Sequence, residues 1–353
     1  MCVTMNRRNC NHFRGCLIGG AIGDALGWPV EFMKLEQIKR LYGVNGITEL
    51  VLALNGKAEI TDDTQMTMFT AEGSLRAEVG MRYNGISDKS TVIYHAYQRW
   101  MLTQKYTPLK EYNWIYDGWL LNLKELHARR GPGNTCLSAL RSQAIGSIDK
   151  PINNSKGCGA IMRSAPFGLL LSKTDAFDEA VESGALTHGH PSGYLAAGAF
   201  AYMIAATIEG QDLRSAIVET MSVLSKKDGS NECVDQIQLA LDLVESNHPD
   251  QTAIQMIGEG WVAEETLGIA VYCAMKHRDD FKRALIAAVN HNGDSDSTGE
   301  VTGNILGAYL GIEAIPENWV KNLELSEAIT NLSDDLLSGF QDGDDWVIRY
   351  PGY

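Results

Sequence analysis

Two short stretches of this 353-residue chain carry residue types able to hold a cation. Gly293-Asp294-Ser295-Asp296-Ser297-Thr298-Gly299 packs two carboxylates and three hydroxyls between glycines, a density of polar groups unsuited to a core. On a helix, Asp294 and Asp296 would diverge by about 200° and could not share one small ligand. In a turn just ahead of a helix they converge, and Ser297 or Thr298 can cap the apolar run that follows. Every donor is oxygen, which favours Mg²⁺, Mn²⁺ or Ca²⁺ over Zn²⁺. The second stretch is Ile60-Thr61-Asp62-Asp63-Thr64-Gln65-Met66. Thr61 is the expected N-cap of a helix whose first turn holds two acids, where the helix dipole favours them. Either stretch alone reads equally well as a capped helix start; together they supply two halves of an all-oxygen cage.

Weaker signals accompany them. Ser155-Lys156-Gly157-Cys158-Gly159-Ala160-Ile161-Met162-Arg163 is a glycine-rich turn leading into a helix, whose backbone amides suit an anion such as phosphate, though the spacing is not that of a Walker loop. Thr187-His188-Gly189-His190-Pro191 places two histidines where they serve either a ligand or a helix end. Arg129-Arg130-Gly131-Pro132-Gly133 breaks the helical pattern, and Asn134 or Thr135 is expected to cap the next helix.

The elements that must position these residues are helical. Gly15, Gly19, Gly23 and Gly27 recur every four residues, as do Gly299, Gly303, Gly307 and Gly311. A glycine costs roughly 1 kcal/mol per helix position relative to alanine, so two such stripes need a reason. They predict that the first and last glycine helices lie side by side and bring Asp24 and Glu31 toward Asp294 and Asp296. That each stripe packs on a different neighbour remains the alternative. Between them the pattern predicts a helix over 35–42 and one opening at Asp62 with Met66, Phe69, Thr70 and Gly73 on its inner face. Two amphipathic helices follow over 90–126, with Tyr94, Tyr97, Trp100, Trp114, Tyr116 and Trp119 in the core. The uncharged run 193–208 falls short of the ~20 residues of a membrane span and reads as a buried helix. Further helices are expected over 213–225, 234–245, 264–275, 281–290 and 301–310. Period-two runs are nearly absent, so the chain reads as all-α, about a dozen helices in one domain spanning 1–353, with no linker.

Composition narrows the class. A chain 44% hydrophobic and 21% charged is an ordinary globular one, and a net charge of −14 argues against a protein that grips nucleic-acid phosphates. Seven cysteines without a Cys-x-x-Cys pair indicate neither a disulfide framework nor a zinc knuckle, and a reducing cytoplasm is the expected compartment. The first twelve residues have two arginines but no apolar stretch of a signal peptide.

Five stretches, Arg14 to Glu31, Thr61 to Thr64, Gly157 to Arg163, Trp261 to Glu265 and Gly293 to Gly299, resemble in order the signature blocks of the ADP-ribosylglycohydrolases. That family includes the dinitrogenase-reductase-activating glycohydrolase and the ADP-ribosylarginine hydrolases. The resemblance covers about 13–312, leaving 1–12 as an N-terminal extension and 313–353 as a helical tail. It implies a compact orthogonal helix bundle around a binuclear centre of two Mg²⁺ or Mn²⁺. Carried onto this sequence, it implies Thr61, Asp62, Asp63, Asp294, Asp296 and Ser297 as metal ligands and Glu31 as a ligand or base beside them. Glu31, Asp62 and Asp296 form the implied catalytic set. Ser155, Lys156, Gly157, Cys158 and Gly159 match the diphosphate loop, His188 a histidine near the phosphates or ribose, and Trp261 a residue by the adenosine; Asn134 joins this substrate-binding group. Some arginine-directed relatives carry a catalytic aspartate near the position of Gly131, and this departure shifts the base toward Glu31.

The implied activity is hydrolysis of the N-glycosidic bond joining ADP-ribose to a modified side chain, arginine first, with the ADP-ribosylated protein and ADP-ribose as partners and neither nucleic acid nor membrane expected. The alternatives are another ADP-ribosyl linkage, to serine or in O-acetyl-ADP-ribose, or an immunity or regulatory protein that occludes a cognate ADP-ribosyltransferase, for which the arginine-bearing N-terminus is the candidate segment.

Overall fold

The two glycine stripes face each other. In the computed structural model, which describes residues 6–86, 88–142 and 144–353, helix Cys10–Gly27 lies antiparallel against helix Ser295–Leu310, with Gly15, Gly19 and Gly23 opposite Gly307, Gly303 and Gly299. The approach is too close for a side chain. A Cβ on Gly19 would lie 2.5 Å from the Gly303 carbonyl oxygen, and one on Gly303 would lie 2.1 Å from the Gly19 oxygen. Backbone-to-backbone contact of this kind brings Cα–H groups onto carbonyl oxygens. Asn304 adds a polar pin, its Nδ2 donating to the Cys16 carbonyl at 2.9 Å. Because the pair is antiparallel, the last turn of the first helix meets the first turn of the other, and Asp24 and Glu31 come to Asp294 and Asp296.

Around this seam the described residues form seventeen α-helices and six short 3-10 turns, with two isolated bridges, Ala58 to Leu323 and Gly157 to Val262, in place of strands. The all-α expectation holds, with more and shorter helices than a dozen. Helix Asp62–Asn84 is buried on every side from Asp62 to Ala77, so the four-residue inner face was too narrow a reading: the helix threads the interior. Helix Pro191–Ile208 is the one described helix long and apolar enough for a span, and 94% of it is buried against its neighbours.

Three local expectations fail for identifiable reasons. Residues 104–126 do not make a second amphipathic helix; Lys105 takes a φ of 65° and Gly118 one of 107°, and between and after them the chain makes 3-10 turns at Lys110–Ile115, Leu120–Asn122 and Lys124–His127. Tyr94, Tyr97 and Trp100 are core, but Trp114 is 48% exposed. Helix Asn134–Arg141 begins one residue earlier than a side-chain cap at Asn134 would require and two earlier than one at Thr135, and Gly133 occupies its N-cap. The N-terminal arginines are consumed in docking that segment: Arg7 donates to the Thr207 and Gln211 carbonyls at 3.2 and 2.8 Å and lies over the Tyr309 ring, and Arg8 reaches the Leu169 carbonyl. The tail packs too, with Arg14 and Asp334 forming a two-pronged pair at 2.7 and 2.6 Å.

Candidate active site

At the mouth of the seam, three helix-forming segments present carboxylates to one cavity of about 340 Å³, within the roughly 300–1,000 Å³ usual for small-molecule sites. Asp294 is the N-cap of the last glycine helix, its Oδ1 accepting from the Ser297 amide at 3.4 Å, so neither Ser297 nor Thr298 caps this helix. Asp296 stands in the first turn and accepts from the same amide at 3.0 Å. The turn lets the two acids converge as their spacing required. Glu31 follows the 3-10 turn Trp28–Val30 at the end of the first helix, and oxygens of Glu31, Asp294 and Asp296 lie within 4.8 Å of one another.

The third segment enters through Asp24. This buried aspartate accepts from the Thr61 amide at 2.9 Å and from the Thr64 amide and hydroxyl at 3.3 and 2.5 Å, which anchors the start of helix Asp62–Asn84. Thr61 caps that helix as expected, accepting from the Asp63 amide at 3.2 Å. Asp63 is tied across to the last glycine helix by the Ser297 hydroxyl at 2.7 Å, and Asp62 to the opposite loop by the Gly133 amide at 3.2 Å.

The electrostatics of this cluster are unfavourable by themselves. Burial first, and then the charges of Asp296, Asp294 and Asp62, push the Glu31 carboxyl up to about 11. Burial and Asp296 push Asp62 to about 8 and Asp24 to about 7, and hold Asp63 and Asp294 well above the usual carboxylate range. Glu31 Oε2 is buried with no hydrogen-bond partner. None of the residues lining the cavity is lysine or arginine. Five acids around one cavity, an orphaned oxygen and no lysine or arginine in the lining make a donor set that could hold a hard divalent cation, with Glu31, Asp294 and Asp296 the tightest group.

The other wall has a different character. Gly157, Cys158 and Gly159 pass through a 3-10 turn rather than into a helix, and the Cys158 thiol donates to Asp294 Oδ2 at 2.8 Å. His188 is buried behind them; burial and the nearby Arg163 guanidinium drive its imidazole down to about 3, so the ring is neutral. At the rim Trp261 stacks on Phe32, ring centroids 5.5 Å apart and 19° from parallel.

Of the residues singled out from sequence, Glu31, Asp62, Asp63, Asn134, Gly157, Cys158, Gly159, His188, Trp261, Asp294, Asp296 and Ser297 line the cavity. Thr61, Ser155 and Lys156 do not. Thr61 is buried beneath the carboxylates. The Ser155 hydroxyl bonds Thr135 at 3.1 Å and accepts from the Gly157 amide at 3.3 Å, shaping the turn. The Lys156 amine is held by Glu264 and by Glu232 at 2.9 Å, so its charge is spent away from the cavity. Sequence reasoning passed over Glu300, Arg163 and Phe32. Glu300 adjoins the acidic motif and is buried against Thr67, whose hydroxyl donates to it at 2.9 Å. Its place directly after Gly299 was the available signal.

Residues 5–345 match the sequence model of the ADP-ribosylglycohydrolases, extending past 13–312 on both sides. The chain is 26% identical to the ADP-ribosyl-[dinitrogen reductase] glycohydrolase of Rhodospirillum rubrum over 88% of its own length and 90% of that protein. It is 23% identical to the ADP-ribosylarginine hydrolase Tri1 of Serratia proteamaculans, covering 95% of this chain and 81% of the relative. With the ADP-ribosylhydrolase ARH3 of Mus musculus the figures are 24%, 95% and 93%. A solved chain from an ADP-ribosylglycohydrolase-related protein complex shares the fold, with a TM-score of 0.64 at 23% identity over 94% of this chain and 98% of that one.

Proposed function

Since the chain belongs to the ADP-ribosylglycohydrolase family, whose activity is hydrolysis of ADP-ribosyl linkages, we propose that its cavity cleaves the N-glycosidic bond joining ADP-ribose to a modified arginine of a protein. The observation that carries this reading is the convergence of Glu31, Asp62, Asp63, Asp294 and Asp296 on one cavity with no lysine or arginine among its lining residues.

Asp62, Asp63, Asp294, Asp296 and Ser297 would hold two Mg²⁺ or Mn²⁺ ions, with Thr61 beneath them as the cap that sets the helix start, and such ions would supply Lewis-acid polarisation and a water acidified toward neutral pH. The chain's own groups do the rest. Glu31, with one oxygen free of protein partners, is positioned to carry the proton between water and the leaving group. The backbone of the Gly157–Gly159 turn and the His188 ring offer donors to the diphosphate. Trp261 and Phe32 offer flat apolar surface at the rim for the base. The arginine linkage is favoured by the Asp-Ser-Asp-Ser-Thr wording of the acidic motif and by the two relatives named for dinitrogen reductase and for ADP-ribosylarginine.

Gly131 supports a second linkage. Its φ is 64° and a Cβ there would lie 3.2 Å from Asp62 Oδ1 and 3.6 Å from Glu31 Oε2, so this backbone holds no side chain where some arginine-directed relatives carry a catalytic aspartate, and ADP-ribosylserine becomes the substrate to test beside ADP-ribosylarginine. The test is release of ADP-ribose from arginine-modified and serine-modified protein with Mg²⁺, Mn²⁺ and EDTA. Metal-dependent release from arginine alone is the expected result. Release from serine alone would reassign the linkage, and release that EDTA leaves intact would sink the role given to the cations.

A further inference from the structure

Arg163 is a fully buried cation that the proposed chemistry does not use, and the groups around it face His188. Its Nη2 donates to the Ser183 carbonyl at 3.2 Å and to the Thr187 hydroxyl oxygen at 2.7 Å. Nη1 points at the Cys136 sulfur at 3.5 Å, and the guanidinium lies 4.1 Å from the centre of the Tyr97 ring. Tyr97 is itself held by Ser183 at 2.8 Å and Thr70 at 3.0 Å. The guanidinium is therefore fixed, and it has donors only.

That fact gives the next hydrogen bond a direction. Thr187 Oγ1 lies 2.8 Å from His188 Nδ1. The hydroxyl oxygen already accepts from Arg163, so its own proton needs an acceptor. The remaining candidate besides Nδ1 is the Cys136 sulfur, which is a weak acceptor and already faces Arg163 Nη1. Thr187 thus donates to Nδ1, and a neutral ring must then carry its proton on Nε2. No described residue pairs with Nε2, and His188 lines the cavity. The glycine turn clears the space in front of it: a Cβ on Gly157 would come 3.5 Å from Nε2, and one on Gly159 3.1 Å from Cε1.

We propose that Arg163 and Thr187 are positioning residues that lock His188 as its Nε2–H tautomer, so that the ring presents a permanent hydrogen-bond donor to an anionic oxygen in the cavity. Under the ADP-ribose reading, on which the identity of that oxygen rests, it belongs to the diphosphate.

The test is tautomer assignment by long-range ¹H–¹⁵N spectra of protein labelled at histidine nitrogen, with the His188 signal identified by its loss in His188→Gln. The expected wild-type pattern is a bare Nδ1 and a protonated Nε2. Thr187→Val should lose that pattern and weaken ADP-ribose binding about tenfold, the worth of one hydrogen bond to a charged group, and Thr187→Ser should restore both. A wild-type ring protonated on Nδ1 or on both nitrogens overturns the proposal, and that measurement needs no variant to fold. So does a folded Thr187→Val that keeps the pattern. The tautomer with no binding of ADP-ribose or inorganic pyrophosphate would uphold the lock and remove the ADP-ribose reading instead.

Discussion

The seam between the two glycine helices and the carboxylate cluster at its end are equally dry: Gly23, Gly27 and Gly299 are as buried as Asp24, Asp294 and Asp296. They also belong to the same helices. In the seam the facing surfaces are glycine backbone in direct contact, and what would destabilise it is an added atom. In the cluster the shapes fit, and what destabilises it is charge: acids are held together without a partner cation from the protein. Burial can therefore be enforced by volume in one region and left electrostatically unfinished in the next. The unfinished one is where an external ion gains most.

A Gly303→Leu substitution should break the seam outright. Even its Cβ lies 2.1 Å from a backbone oxygen that cannot rotate away, and overpacking against backbone costs more than about 3 kcal/mol. The expected outcome is loss of soluble, cooperatively melting protein, with no rescue by Mg²⁺ or Mn²⁺. Rescue would mean that the seam and the cluster are energetically coupled. Asp294→Ala combined with Asp296→Ala should act the other way. ADP-ribose release should fall on the order of 10³-fold, while the metal-free protein stays folded and the gain in melting temperature that wild type draws from Mg²⁺ or Mn²⁺ is lost.

A pH series in EDTA separates the two regions without mutation. Asp24 and Asp62 are raised to about 7 and about 8, so between the usual carboxylate range and those values the folded state keeps protons that the unfolded state has lost. Stability from these groups is fully present below the ordinary carboxylate pKa and is lost as pH rises through about 7 and 8. The slope is roughly 1.4 kcal/mol per pH unit for each group. Metal-free protein should melt lower at pH 8 than at pH 5, and divalent cation should restore most of the difference. A flat profile would mean that the carboxylates are compensated from within.

How much of this was legible in the sequence depends on the range over which each feature is decided. The glycine stripes and the Asp-Ser-Asp-Ser-Thr motif announce themselves because four-residue spacing and local oxygen density are properties of a few neighbouring residues. The N-cap of the last helix was misplaced because it is chosen by the turn, where Gly293 at φ 142° packs against the Glu259 carbonyl and leaves Asp294 at φ −78°, ψ 79°. Lys156 was credited to the cavity for its place in a glycine turn, and its true partners, Glu232 and Glu264, lie 76 and 108 residues away. The Arg163, Thr187 and His188 relay was invisible for the same reason. A buried arginine in a Met-Arg-Ser sequence carries no sign of which distant hydroxyl it will meet.

The smallest expected change in stability is also the sharpest test of the comparison. Glu31→Gln replaces a carboxyl that burial and three neighbouring acids keep protonated up to about pH 11. A neutral carboxylic acid and an amide are nearly the same size, and neither brings charge into the cluster. Metal-free wild type and Glu31→Gln should therefore melt within about 0.5 kcal/mol of each other at pH 8, the scatter of a substitution that breaks no packing. Cation should part them. An ion among Asp294, Asp296 and Glu31 reverses the local preference and favours the ionised carboxylate, a state glutamine cannot reach. Wild type should then gain more melting temperature from saturating Mg²⁺ or Mn²⁺ than the variant does, and the variant should lose most of its turnover. Equal gains would place Glu31 outside the field of the ions and leave its carboxyl a spectator to the chemistry.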